Sequence, residues 1–175
     1  MGRQRCIPSG VVMTENAPSA AKAARKFLLV VNRSSELKAA VRFSCRRALH
    51  TGGSVVLFSC VPKRDSHYFA SIGELMEREA HSEAEEVLKA VAADAHRQMG
   101  IYPQVVLREG DTMEQLLAVL SEDGSISILV LGAGTGPEGP GDLVSALSGK
   151  LAGKIRIPVT IVPGHLTDAQ VDGLT

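Results

Sequence analysis

The sequence has few aromatic residues, lacks tryptophan and carries no excess charge of either sign. Phe and Tyr make up 3% of its 175 residues, and 19 Lys and Arg residues balance 19 Asp and Glu residues. Surfaces that bind single-stranded nucleic acid combine stacking aromatics with a basic groove, and anionic membranes attract basic patches. Because the chain lacks both features, we predict no nucleic-acid partner and no membrane association.

Cysteines and long apolar runs are also scarce. The three cysteines, Cys6, Cys45 and Cys60, are odd in number and have no paired spacing, which argues against a disulfide framework or a zinc site. The five histidines form no i, i+4 pair, and no apolar run approaches the roughly 20 residues of a membrane span. We therefore predict a cytoplasmic protein with reduced thiols and no metal site. Residues 1–25 lack the apolar stretch of a secretory signal and are predicted to be a disordered tail.

The remainder of the chain alternates short apolar runs with segments of helical periodicity. Five strands are predicted in KFLLVV, SVVLFSCV, YPQVVLREG, SISILVLG and IPVTIVPG. The longest predicted helix covers residues 72–99, with a buried stripe that begins at Leu75 and Met76, and another helix covers residues 142–154. Residues 165–175 are predicted to form a C-terminal extension with a short turn. Strands that alternate with helices predict an α/β fold with a parallel sheet covered on both faces.

Two segments that follow predicted strands are candidates for a binding site. In an open α/β sheet, ligands bind outside the carboxyl ends of the strands, where the strand order reverses. Asn32 follows the first strand, and a loop over residues 132–141 with five glycines follows the fourth. Glycine amides can point freely because glycine tolerates positive φ, and the helix after the loop begins with unpaired N–H groups. If the two strands are neighbours, a base could lie near Asn32 and phosphates on the loop.

The order of elements and three segments, FLLVVNRS, ILVLGAGTG and IPVTIVPG, resemble the universal stress protein family. The resemblance covers a domain over residues 26–164. It implies a doubly wound five-stranded parallel sheet in the order 3-2-1-4-5, of the Rossmann-like adenine-nucleotide alpha-hydrolase type. It also implies a dimer, and in many members ATP or another adenine nucleotide as the ligand.

The ATP motif of that family is altered in this chain. ATP-binding members carry an Asp where this chain has Asn32, which can still accept a hydrogen bond and can also donate one. They also carry the loop Gly-x-x-Gly-(nine residues)-Gly-Ser/Thr. One alignment matches Gly136, Gly139 and Gly149, but Lys150 follows. The preferred alignment starts at Gly132 and keeps the apolar helix positions in register. It replaces the second glycine by Thr135, the third by Ser145 and the Ser/Thr by Ala146. The candidate ligand residues are Asn32, Gly132, Gly134, Gly136, Gly139, Ser145 and Ser148.

The last predicted strand contains the β-branched run Val159, Thr160, Ile161 and Val162. In the implied strand order this segment is a sheet edge, and an open β-branched edge is an aggregation hazard. Pairing with the same strand of a second subunit would cover it and form a homodimer. The alternative is that residues 165–175 cover the edge.

Three functions remain open on the sequence. The first is a regulatory or protective module related to universal stress proteins that binds an adenine nucleotide. The second is a dimeric interaction protein without a ligand, which docks partners through its long helix. The third is a slow ATPase with Asp142 or Glu138 as general base, but helix capping and solvent exposure explain these two carboxylates more simply. We favour a protein that is not an enzyme.

Overall fold

The computed structural model describes residues 25–34, 36–63, 70–149 and 152–175, which form alternating strands and helices. The strands are β1 (Lys26–Val30), β2 (Ser54–Val61), β3 (Gln104–Glu109), β4 (Ile126–Ala133) and β5 (Val159–Pro163). The helices are α1 (Leu37–Thr51), α2 (Ala70–Met99), α3 (Thr112–Glu122), α4 (Asp142–Ser148) and α5 (Asp168–Leu174). The predicted tail, apart from Arg25, lies outside the described residues.

The five strands form one parallel sheet in the order β3-β2-β1-β4-β5, as predicted. β1 is the central strand and pairs with both β2 and β4, so that Leu29 lies between Leu57 and Val130. Continuous apolar runs such as FLL are typical of strands buried on both faces, because helices cover a parallel sheet on each side. The carboxyl ends of β1 and β4 therefore lie side by side.

Two apolar layers form the core, one on each face of the sheet. On one face, Phe27, Leu29 and Val31 pack with residues of α1, α2 and α5. On the other face, Leu28, Leu129 and Leu131 pack with residues of α3 and α4. The alternation along β1 and β4 assigns consecutive side chains to opposite layers.

Residues of the types that commonly end or cap helices stand at the C-terminus of α1 and at the N-terminus of α3. Gly52 ends α1 in the left-handed conformation at φ 65°, and Asp111 caps α3 by accepting a hydrogen bond from the N–H of Glu114. On the sequence, Ser34 or Ser35 is predicted to cap the start of α1, but Glu36 occupies the N-cap position without a side-chain cap. Ser34 is instead part of the turn that leads into the helix, and Ser35 lies outside the described residues.

The buried stripe predicted for α2 begins later than expected. Leu88 and Ala95 are buried, but Leu75 and Met76 are 59% and 45% exposed. The 30-residue helix is about 45 Å long, whereas the neighbouring strands have six to eight residues and span about 20–26 Å. The first turns of α2 therefore extend beyond the strands that the structure describes.

The two C-terminal helices also differ from the prediction. α4 ends at Ser148, and a 3₁₀ turn follows over Ala152–Lys154; Lys150 and Leu151 lie outside the described residues. The predicted C-terminal turn is the helix α5, which starts at a capping box formed by Thr167 and Gln170. Val171 of α5 is completely buried in the layer that contains α1. On the surface of α1, Arg42 donates two hydrogen bonds to Asp172 of α5.

Candidate functional site

The carboxyl ends of β1 and β4 form a crevice, as predicted for neighbouring strands. Val30 and Asn32 lie on one side of a small cavity of about 80 Å³, and Leu131 and Gly132 lie on the other. The start of α4 forms a further wall of this cavity, to which Leu143 contributes. The strand order thus brings Asn32 and the first residues of the glycine loop to one place.

A second, larger cavity of about 380 Å³ lies on the other side of Asn32. Its walls come from the ends of β1 and β2 and from the middle of α2, including Cys60 and Val87. Asn32 and Leu143 line both cavities. This volume is large enough for a purine nucleoside, since ligand pockets are typically about 300–1,000 Å³.

The side chain of Asn32 is oriented by its own turn. Its Oδ1 accepts a hydrogen bond of 2.6 Å from Ser34 Oγ and one of 3.4 Å from the backbone N–H of Ser34. Because the two carboxamide atoms diverge from the same carbon, Nδ2 points away from Ser34 and is available as a hydrogen-bond donor. The residue next to it, Arg33, pairs with Glu83 of α2 at 2.5 Å.

The glycine loop folds back on itself after β4. Gly139 and Gly141 have φ values of 83° and 96°, which other residues rarely adopt. The N–H of Gly139 donates to the carbonyl of Gly136 at 3.1 Å, and a methyl group on Gly134 would lie 2.6 Å from the carbonyl oxygen of Gly139. Two of the predicted phosphate-binding glycines, Gly136 and Gly139, therefore bond to each other.

The predicted hydroxyl ligands lie outside the lining of the two cavities. Ser145 and Ser148 are exposed on α4, and the hydroxyl of Ser145 donates to the carbonyl of Gly141 at 2.9 Å. Contacts of these serines with a phosphate stay a prediction, as do the roles of Asn32 and the four glycines.

Sequence reasoning missed the packing of Glu36, which lies against three glycines at and beyond the ends of β4 and β5. A methyl group on Gly164, directly after β5, would lie 2.3 Å from Glu36 Cγ. A methyl group on Gly134 would lie 3.5 Å from Glu36 Oε1, and one on Gly132 would lie 3.2 Å from the Glu36 carbonyl oxygen. Glu36 therefore occupies a hollow that these three glycines leave open. Gly164 after the last strand was a visible signal, but the sequence did not indicate which side chain it accommodates.

The two described thiols are weakly acidic. Burial raises the pKa of Cys45 to about 11, and it also raises the pKa of Cys60. The Cys60 thiol donates to the carbonyl of Gly110 at 3.4 Å. Because the thiolate is the nucleophile, neither cysteine is activated for nucleophilic chemistry.

Other site classes find no support within the described part of the chain. No group of three or more His, Cys, Asp or Glu side chains there is arranged to hold a metal ion. None of the helices described is both long and apolar enough to cross a membrane. Glu138 and Asp142 are exposed at the loop and at the first turn of α4.

β5 is an edge of the sheet, and its outward side chains are partly exposed. Val159 and Ile161 are 37% and 41% exposed. The C-terminal helix α5 packs on α1, against Arg42 and Arg46. The alternative prediction was that residues 165–175 cover this edge. Among the described residues, the helical part of that segment packs on α1.

The five-stranded parallel sheet in the order β3-β2-β1-β4-β5, with helices on both faces, defines a doubly wound α/β protein. The family model of the universal stress protein family matches residues 23–163. The chain belongs to the universal stress protein family, which confirms the resemblance. No curated protein sequence is significantly similar to it.

Solved structures with the same fold come from bacteria, archaea and plants. The universal stress protein UspA from Lactobacillus plantarum has a TM-score of 0.65 and 12% identity, over 79% of this chain and 97% of its own. The universal stress protein from Archaeoglobus fulgidus in complex with dAMP has a TM-score of 0.56 and 15% identity, over 80% and 98% of the two chains. A family protein from Arabidopsis thaliana with AMP bound has a TM-score of 0.56 and 16% identity, over 79% and 91%. At these identities the similarity establishes the fold.

Proposed function

We propose that this chain is a regulatory or protective module that binds an adenine nucleotide in the crevice between β1 and β4. The single observation that carries the proposal is that Asn32 and Gly132 line one cavity, with room for a nucleoside on the other side of Asn32. The structures of relatives with dAMP and with AMP support the choice of ligand class. We also propose a cytoplasmic location, which the three cysteines without paired spacing support.

The ligand would lie across Asn32, with its base and sugar in the larger cavity and its phosphate toward Gly132 and Gly134. Asn32 would donate from Nδ2 to the nucleoside, because its Oδ1 already accepts from Ser34. Val30, Val87 and Leu143 would supply apolar contact for the nucleoside. Such a site would bind and orient a nucleotide.

Isothermal titration with adenosine, AMP, ADP and ATP tests this proposal. We expect binding with at least one of these ligands, and loss of at least tenfold in affinity for Leu143→Trp, because Leu143 lines both cavities and the larger ring would project into them. Leu49→Trp is the matched control, since Leu49 is exposed on the last turn of α1. Absence of heat and of a thermal shift at millimolar concentrations of all four ligands would refute nucleotide binding.

We also propose a homodimer through β5, with Val159, Thr160, Ile161 and Val162 pairing with their symmetry mates. The apolar side chains of Val159 and Ile161 are partly exposed at this edge, which supports the dimer, because isologous pairing would cover both side chains. Light scattering after gel filtration should give twice the monomer mass. Ile161→Arg should give the monomer, whereas Val105→Arg, on the opposite edge of the sheet, should stay dimeric. A monomeric wild-type protein at 100 µM would refute the dimer.

A second candidate is a ligand-free interaction protein. The observation that favours it is the exposure of Leu75 and Met76 on the part of α2 that extends beyond the sheet. A protein purified with stoichiometric nucleotide, identified by mass spectrometry, would count against it.

A further inference from the structure

Another cavity, of about 500 Å³, lies away from the crevice, between α3 and the segment that leads into β5. Leu117 and Leu120 of α3 line it together with Ile155 and Ile157 of that segment, and all four side chains are half-buried. Because α3 ends shortly before β4 begins and Ile157 lies just before β5, the cavity lies toward the amino ends of these strands. Of the described residues that line it, none also lines the two cavities at the carboxyl ends of β1 and β4.

The charged side chains in the wall of this cavity are cationic. Lys154 and Arg156 line it, and no Asp or Glu in the described part of the chain does. Both cations are exposed, and neither forms an ion pair or a side-chain hydrogen bond with a described residue. α4 ends at Ser148, so neither cation belongs to its last turn, where positive charges commonly offset the backbone carbonyls. Two cations thus stand beside an apolar wall, unpaired within the residues that the structure describes.

We propose that this cavity binds a small organic anion that joins an aliphatic body to one carboxylate or phosphate group. The aliphatic body would lie against the Leu and Ile side chains and remove them from water. The anionic group would lie at Lys154 and Arg156, since a guanidinium can donate two parallel hydrogen bonds to a carboxylate or a phosphate. Ser121, which also lines the cavity, can donate a further hydrogen bond from its hydroxyl.

The size and the chemistry of the cavity both favour this ligand class. Its volume of about 500 Å³ lies within the range of small-molecule pockets, about 300–1,000 Å³. The described lining contains no aromatic ring and no side-chain amide, so it offers neither a stacking surface nor the paired donor and acceptor of a carboxamide. An aliphatic anion therefore fits this cavity better than a nucleotide does.

Isothermal titration with octanoate, octyl phosphate, octanol and acetate tests this proposal. At least one of the two eight-carbon anions should bind about tenfold more tightly than octanol, which lacks the charge, and than acetate, which lacks the aliphatic body. The double variant Lys154→Gln/Arg156→Gln should lose roughly tenfold in affinity for that anion, because two exposed charged contacts are removed. Its affinity for octanol should be unchanged. Lys89→Gln/Arg97→Gln is the matched control, since both cations are exposed on α2, and it should bind as the wild type does.

Amide NMR spectra of the wild-type protein provide a second readout that does not depend on the stability of a variant. Octanoate or octyl phosphate should shift the resonances of the second half of α3 and of residues 153–157, and should leave those of Gly132 and Gly134 in place. The proposal is overturned by absence of binding of both anions at millimolar concentration, by equal affinity for octanol, by an unchanged affinity in the double variant, or by shifts confined to the crevice. Nucleotide binding is tested separately, because the two sites share no described lining residue.

Discussion

The ion pair between Lys26 and Asp123 is expected to stabilise the paired strands that form the crevice. Lys26 Nζ lies 2.6 Å from Asp123 Oδ2 at the amino ends of β1 and β4. Asp123 also accepts hydrogen bonds from the backbone N–H and the hydroxyl of Ser125, just before β4. The hydrogen bond from Lys26, assisted by those from Ser125, lowers the pKa of Asp123 from 3.8 to about 2.

The perturbation is Asp123→Asn, which keeps an acceptor oxygen for Ser125 and removes the charge. A depression of that size corresponds to about 2.5 kcal/mol before any screening by solvent. Because the side chains of Lys26 and Asp123 are 29% and 31% exposed, solvent screening reduces the expected loss of unfolding free energy at pH 7 to about 1 kcal/mol.

The pH dependence gives the sign of the effect. Since the pKa of Asp123 is lower in the folded state, its contribution is complete above about pH 4 and disappears as the pH falls through about 2. The difference between the wild type and Asp123→Asn, measured by urea denaturation, should therefore shrink between pH 4 and the lowest pH at which both proteins fold. Lys26→Met should cost a similar amount, and the double variant should show coupling of about 1 kcal/mol. A difference that stays constant from pH 7 to pH 3 or below, or no coupling with Lys26→Met, would refute this reasoning.

Three further substitutions test the packing. Gly53→Ala should lower the unfolding free energy by about 2–3 kcal/mol, because its new methyl group would lie 2.3 Å from the backbone oxygen of Arg25; Gly124→Ala, in open space, should change it by less than about 0.5 kcal/mol. Val171→Ala should cost about 2 kcal/mol in urea denaturation, since Val171 is the fully buried residue by which α5 packs into the layer that contains α1, and a cost below about 0.5 kcal/mol would mean that α5 is not anchored there. Gly164→Ala should displace Glu36 and lower the melting temperature, whereas an unchanged melting temperature would show that the hollow is looser than described.

The elements of the sheet were predictable from the sequence because their signals are local. The apolar runs at β1 and β4 and the glycine at position 52 depend on periodicity and on backbone preference, which neighbouring residues determine. The strand order was predicted through the family resemblance, and the sheet confirms it. From that order the meeting of Asn32 and Gly132 followed, since the carboxyl ends of adjacent parallel strands lie together.

The features that the sequence left undecided depend on contacts between distant segments. The exposure of Leu75 and Met76 follows from the length of α2 relative to the sheet. The helical periodicity of the sequence does not indicate how far a helix extends beyond the sheet. Glu36 reaches Gly134 and Gly164 only because three chain segments converge beyond the ends of β4 and β5. By itself, the sequence therefore determined the strands and helices through short-range pattern, and its resemblance to the family added the strand order and with it the location of the crevice. The tertiary structure alone decided which charges surround that crevice, because a side chain's neighbours across the fold have no fixed separation along the chain.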